Sequence, residues 1–238
     1  MTEEHRLRIN ALSRWYKTFG VDHVFRDINS NEKWQKKQEQ KANTSTVYSS
    51  SQLCYDSIEE LEKAVREIDC HLKKTAKRTV FSDGNPGSDV MIIGEAPGQE
   101  EDEQGKPFVG ESGKLLNNML LSVGIKRSDV YISNIVFWRP QGNRAPSTDE
   151  IALCMPYVEN HVRLVNPRIL LLLGGIAVKS ILNTDAPISK LRGSKSAYMG
   201  IDTIVTFHPA YLLRSPGQKY LVFRDFILLK RLLLSKDI

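Results

Sequence analysis

From residue 90 onward, short apolar runs alternate with segments of helical periodicity, and this alternation restricts the chain to very few architectures. Strands are expected at 90–93, 129–134, 168–173 and 202–207, and helices at 112–123, 148–163, 175–182 and from about 218. Such a series implies a parallel sheet with helices on both faces. The run Ile169-Leu170-Leu171-Leu172-Leu173 and the pair Ile204-Val205 contain no polar residue, as strands covered on both sides require. In an open parallel sheet, ligands bind beyond the carboxyl ends of the strands. Here the strands run out at Gly94-Glu95, Ser133-Asn134, Gly174-Gly175 and His208-Pro209, so glycine, amide and imidazole groups converge on one rim.

The connection after the first of these strands is too long for a plain link. Strand-to-helix connections commonly need about 2 to 6 residues, whereas Gly94-Glu95-Ala96-Pro97-Gly98-Gln99-Glu100-Glu101-Asp102 and Gly105-Lys106-Pro107-Phe108-Val109-Gly110 come before a helical pattern that begins after Gly113. The stretch is acidic and carries one bulky ring, Phe108, which fits an active-site loop lining a cleft. Upstream, Leu7, Ile9, Leu12, Trp15 and Tyr16 form one face of an expected helix at 5–19, and 29–51 is a polar linker. A helix at 57–71, with Ser57 as cap and Glu60 completing a capping box, starts the core. The expected organisation is an appended segment, residues 1–55, followed by a catalytic domain, residues 56–238.

The 238-residue chain carries a net charge of +5. Residues 139–238 hold fourteen Lys and Arg against seven Asp and Glu, while residues 95–103 hold five acids and no base. An acidic loop beside a basic half suits a phosphate backbone as partner. Three widely spaced cysteines, Cys54, Cys70 and Cys154, argue against a disulfide framework. No apolar run reaches the roughly 18 residues of a membrane span, and the first residues lack an apolar targeting stretch. These features give the expectation of a cytoplasmic protein that makes no membrane contact.

Five motifs carry a resemblance to a known family. They are Gly-Glu-Ala-Pro-Gly at 94–98, Pro-Phe-Val-Gly at 107–110, Tyr-Ile-Ser-Asn at 131–134, Arg-Pro-Gln-Gly-Asn-Arg-Ala-Pro at 139–146 and His-Pro-Ala-Tyr-Leu-Leu at 208–213. Together they resemble the uracil-DNA glycosylase superfamily, most closely its family-4 branch, over most of residues 67–230. The resemblance implies a three-layer α/β/α sandwich with a central, mostly parallel four-stranded sheet. It implies a monofunctional glycosylase that excises uracil from DNA by hydrolysis in base excision repair. The partner is uracil-containing DNA, single- or double-stranded, the product an abasic site, and the protein a bacterial monomer, nucleoid-associated when acting. The alternative is a protein that binds uracil or abasic sites with weak or no turnover. A nucleotide-binding or hydrolase protein on a similar sheet is disfavoured, because neither a Walker lysine motif nor Gly-x-Gly-x-x-Gly is present.

The roles implied by the resemblance agree with the chemistry of the residues. A base within the duplex is out of reach and must be extruded into a pocket, where Phe108 offers a ring for stacking. The Asn134 amide presents one donor and one acceptor, matching adjacent groups on the pairing edge of uracil. Cytosine reverses that pattern and would leave a buried polar pair unmatched, at a cost of about 2 kcal/mol. His208 would donate toward the other carbonyl, where charge gathers as the base departs, an effect worth about 3 kcal/mol in comparable sites. Ala96 stands where the best-known branch has an aspartate, so Glu101, Glu95 or Asp102 must serve the attacking water, with the resemblance favouring Glu101. Gly94, Ala96, Pro97 and Gly98 line the pocket, and Gly98 replaces the tyrosine that excludes the thymine methyl in that branch. Ser112 and Arg144 are the expected phosphate contacts, with the helix amino termini near Gly113 and Gly175. Leu212 or Leu213 would plug the gap left by the base, and Arg214 would touch the backbone.

One departure concerns the iron-sulfur cluster that family 4 usually holds on four cysteines. Aligned flanks put Glu67, Cys70, Trp138 and Cys154 at those positions, so only Cys70 and Cys154 remain. Thiolates are the normal ligands and an indole cannot replace one. The expectation is therefore no metal and no cofactor, as in a bacterial family-4-like subgroup that lacks the cluster, with Trp138 filling the vacated volume.

Overall fold

The computed structural model describes residues 54–235. The helix expected at 5–19 and the linker at 29–51 lie outside the described residues.

Four parallel strands form the centre of the molecule: β2 (Val90–Gly94), β3 (Tyr131–Asn134), β4 (Ile169–Leu173) and β6 (Ile201–Thr206). Two further strands, β1 (Asp83–Gly84) and β5 (Lys195–Tyr198), pair antiparallel at the edges, giving the order β1-β3-β2-β4-β6-β5. The expected sheet of four strands is thus corrected to six. The physical reason is legible: β1 is two residues long and β5 alternates exposed with half-buried residues, so neither carries the apolar run of a doubly covered strand.

Alternating side chains of the sheet feed two cores. Met91, Ile93, Leu170, Leu172 and Val205 face the helices α1 (Ile58–Glu67), α4 (Thr148–Val165) and α5 (Gly175–Leu182). Val90, Ile92, Ile132, Leu171 and Ile204 face α3 (Glu111–Ser122), α7 (Pro209–Arg214) and α8 (Lys219–Leu234). This is the three-layer arrangement that the alternation implies. A short helix, α6 (Ile188–Leu191), precedes β5. Among the described residues, no helix is long and apolar enough to cross a membrane.

The long acidic connection is not loop throughout. It contains α2 (Gln99–Gln104), whose first turn is the acidic run Glu100, Glu101 and Asp102. Carboxylates there complement the exposed amides and the positive end of the helix dipole. Gly105, in the left-handed conformation, ends the helix. The strand expected at 129–134 begins two residues later, because Arg127–Asp129 is a turn of 3-10 helix.

Candidate active site

The rim where β2 and β3 end opens into a cleft of about 530 Å³. Its lining includes Glu95, Ala96, Pro97, Gly98, Glu101, Phe108, Ser112, Asn134, Arg144, His208 and Arg214, so the fold assembles eleven of the residues expected from sequence. Gly94 lies immediately behind this surface, paired with Asn134 across the sheet. A side chain at Gly94 would put its Cβ 2.5 Å from both the Asn134 Oδ1 and the Phe108 ring. Only glycine lets the ring and the amide approach this closely.

Asn134 is 2% exposed, and its Oδ1 has no hydrogen-bond partner. An unmet buried acceptor costs about 1 to 3 kcal/mol, so the position suits a ligand N–H. Phe108 is 5% exposed and tilts against His208, with ring centroids 5.5 Å apart. Its backbone lies in the left-handed region at φ 52°, a conformation unfavourable for a bulky side chain. Arg127 holds it there, donating to the carbonyl oxygens of Pro107 at 2.7 Å and Phe108 at 2.9 Å, while Asp83 accepts from Arg127 Nε at 2.9 Å. Sequence reasoning missed Arg127 because its partner carbonyl lies nineteen residues away and no local pattern marks the contact.

His208 caps α7, its Nδ1 accepting from the Ala210 amide at 3.1 Å. The neutral ring then carries its proton on Nε2. Burial holds the imidazole down to about 4, with the Glu101 carboxylate opposing that shift and the Arg214 charge adding to it. His208 is therefore an uncharged donor at neutral pH.

Glu101 fastens the loop at both ends. Its Oε2 accepts from the Gly98 amide at 3.0 Å, and its Oε1 accepts from the amides of Val109 and Gly110 at 2.9 Å each. Burial pushes the Glu95 carboxyl above the usual carboxylate range. Asp102, the third carboxylate considered for the water, is turned away from this role: it is buried outside the cleft lining and accepts from the Lys77 and Arg78 amides.

Arg144 reaches the mouth of the cleft while donating bidentately to Glu150, at 2.9 and 2.6 Å. The Arg144 guanidinium holds the Glu150 carboxyl down to about 2. Of the two leucines expected at the gap, Leu212 is 0% exposed and belongs to the core cluster that also contains residues of β2, α3 and α8, so its side chain is not available at the surface. Leu213 projects instead and is 44% exposed, though outside the cleft lining. Residues missed by the sequence reading include Asn143, Gln99 and Tyr211, all of which line the cleft. Tyr211 belongs to the His-Pro-Ala-Tyr-Leu-Leu run at 208–213, where its aromatic character is the signal that marks it.

Comparison with known proteins shows the family to which a chain with this fold belongs. A family model for the uracil DNA glycosylase superfamily matches residues 81–229. The chain is similar to a type-4 uracil-DNA glycosylase of Pyrobaculum aerophilum, 36% identical over 67% of this chain and 86% of the relative. It is also similar to the type-4 enzymes of Thermotoga maritima, 37% identical over 66% of this chain and 82% of the relative, and of Saccharolobus solfataricus, 37% identical over 77% and 89%.

These relatives overturn the expectation of a chain without an iron-sulfur cluster, because type-4 enzymes are the cluster-containing branch. The donor set explains why the chain alone suggests the opposite. Cys70 and Cys154 are both buried in one core, Cys54 is exposed, and Trp138 is packed with its indole donating to Thr79 at 3.1 Å. Among the described residues, no group of three or more His, Cys, Asp or Glu is placed to hold a metal. The two thiols do not by themselves make the usual four-thiolate set.

Proposed function

The chain belongs to the uracil-DNA glycosylase superfamily, and on that premise we propose that it excises uracil from DNA as a monofunctional enzyme, hydrolysing the N-glycosidic bond in base excision repair. The observation that carries this reading is the unpartnered Asn134 Oδ1, buried at the floor of a cleft walled by Phe108 and His208. In that cleft an extruded uracil lies on the Phe108 ring and gives its N3–H to Asn134 Oδ1, while the amide nitrogen donates to the neighbouring carbonyl. His208 donates from Nε2 toward the remaining carbonyl. Because that donor is fixed and neutral, it stabilises charge that develops on the departing base without reorganising.

The sugar becomes cation-like as the bond lengthens. Glu101, held by three backbone amides, supplies a fixed negative charge beside it and orients the water, with Glu95 the second candidate. No lysine stands among the described residues of the lining, which supports simple hydrolysis to an abasic site over Schiff-base chemistry. Ser112, Arg144 and Arg214 at the mouth meet the phosphate backbone of uracil-containing DNA.

Release of free uracil from single-uracil oligonucleotides, single- and double-stranded, tests this. The wild type is expected to release uracil, and Asn134→Ala to lose at least about tenfold, the equivalent of one well-placed hydrogen-bonding group. Tight binding without release by the wild type would identify a recognition protein instead.

A further inference from the structure

Tyr211 is 37% exposed at the cleft mouth, although it is a large aromatic residue on a six-residue helix otherwise anchored in the core by Leu212. It is not a loose side chain. Its ring rests on Phe207, with centroids 5.1 Å apart and planes at 49°. Phe207 in turn carries the Arg192 guanidinium 5.5 Å from its centroid. That guanidinium donates to Asp225 Oδ1 at 2.7 Å and to the Leu221 carbonyl at 2.6 Å. The second carboxylate oxygen, Asp225 Oδ2, accepts from Thr206 Oγ1 at 2.6 Å.

Asp225 is fully buried, and it ties α8 to both Arg192 and the last residue of β6, two positions before His208. A carboxylate removed from water needs such partners. Their combined effect is to fix the floor on which the Tyr211 ring lies. Leu213, two positions along the same helix, is exposed too but lies outside the cleft lining. The result is a supported aromatic ring facing the cleft that holds Asn134 and His208.

Resting on the glycosylase reading above, we propose that Tyr211 is a stacking platform for the nucleotide immediately beside the extruded base, braced by Phe207, Arg192 and Asp225. Phe108 takes the extruded base inside the cleft. Tyr211 takes a neighbour at its mouth, substituting for the stacking contact that the neighbour loses when the target leaves. A ring suits this task because every base has a π-face. The platform therefore recognises the presence of a neighbouring base without reading its identity.

The test is a cycle between protein and substrate. Oligonucleotides carry one uracil flanked on its 5′ or 3′ side by a normal nucleotide or by a tetrahydrofuran abasic analogue. Fluorescence anisotropy and uracil release are measured on each with wild type, Tyr211→Ala, Tyr211→Phe, Arg192→Lys and Tyr220→Ala. Tyr220 is also exposed but lies outside the cleft lining, and it serves as the control.

Deleting the base on one flank is expected to weaken wild-type binding and kcat/KM about tenfold, within the range of base-aromatic stacking. Tyr211→Ala is expected to have lost that increment and to be insensitive to the deletion. Tyr211→Phe and Tyr220→Ala retain wild-type sensitivity. Arg192→Lys reduces it, with KM rising more than kcat falls, because an ammonium cannot stack as the planar group does. Equal sensitivity of wild type and Tyr211→Ala on both flanks overturns the proposal. Binding without uracil release by the wild type would defeat the glycosylase reading alone, since the anisotropy cycle still decides the role of Tyr211.

Discussion

Arg127 donates to the carbonyl oxygen of Phe108 at 2.9 Å, and so holds the one aromatic ring of the acidic connection in a left-handed backbone conformation. A strained residue persists only where its surroundings outweigh a cost of about 1 to 3 kcal/mol. Here those surroundings are a guanidinium fork shared with Pro107, Asn117 and Asp83. Helix α3 adds to it, since a Cβ at Gly113 would fall 1.9 Å from the same carbonyl.

Arg127→Ala is expected to let the segment around Phe108 relax and withdraw the ring from its place beside Asn134. Stability in urea falls by about 2 kcal/mol, the scale of hydrogen bonds to a charged donor. Uracil release falls about tenfold or more, a displacement effect expected when a positioned group shifts. Arg127→Lys does not restore activity, because a lysine cannot form the planar fork. Full activity in Arg127→Ala would show that the ring needs no such clamp.

Stability declines with acid from near pH 6.5 downward. Burial holds His208 down to about 4 and His161 to about 3, so both stay neutral in the folded state while the unfolded chain takes up protons near 6.5. Their contribution is full above about 6.5 and is lost progressively as pH falls through the folded values. The Glu150 contribution belongs to a lower window, lost from about 4.5 toward about 2. Thermal melts between pH 8 and 5 are expected to show Tm falling, and His161→Phe to reduce that fall. His161 stacks on Phe81 and its Nε2 lies 2.8 Å from the Tyr131 hydroxyl, which Ser82 still satisfies in the variant. An unchanged slope would remove His161 from this account.

Leu212→Ala and Leu213→Ala separate the two neighbours. Truncating fully buried Leu212 should cost about 2 to 5 kcal/mol. Exposed Leu213 should cost no more than about 0.5 kcal/mol. Only Leu213→Ala should lower release from duplex substrate while leaving the unfolding midpoint in place. The opposite pattern in chemical denaturation would reverse their assignment.

Arg144→Ala is expected to weaken DNA binding uniformly across sequences and to reduce the slope of log affinity against log salt by about 1, as loss of one phosphate contact does. An unchanged slope in salt titrations would mean that Glu150 retains Arg144 solely as a structural pair.

The parallel centre of the sheet and most of the cleft were legible in the chain because both follow from local periodicity. Strand ends place Glu95, Asn134 and His208 at one rim, and the rule that ligands meet that rim needs no side-chain detail. The edge strands β1 and β5 were not legible, being short and polar. The acidic run read as loop was the opening turn of α2, its signal divided between turn chemistry and helix capping. The cluster expectation failed for a different reason: a count of thiols at aligned positions pointed to a subgroup without the cluster, whereas the relatives belong to the branch that contains it.

Hydrophobic period and turn chemistry act over a few neighbours, so the chain alone specified the succession of the four parallel strands with their main helices and the residue types delivered to the cleft. Tertiary structure alone decided that Leu212 is core and Leu213 surface, that Glu101 is gripped by three amides, and that Arg127 and Asp225 brace Phe108 and Tyr211. Those contacts join residues up to several dozen positions apart, and their energies depend on directions and burial that exist only once the two cores have closed on the sheet.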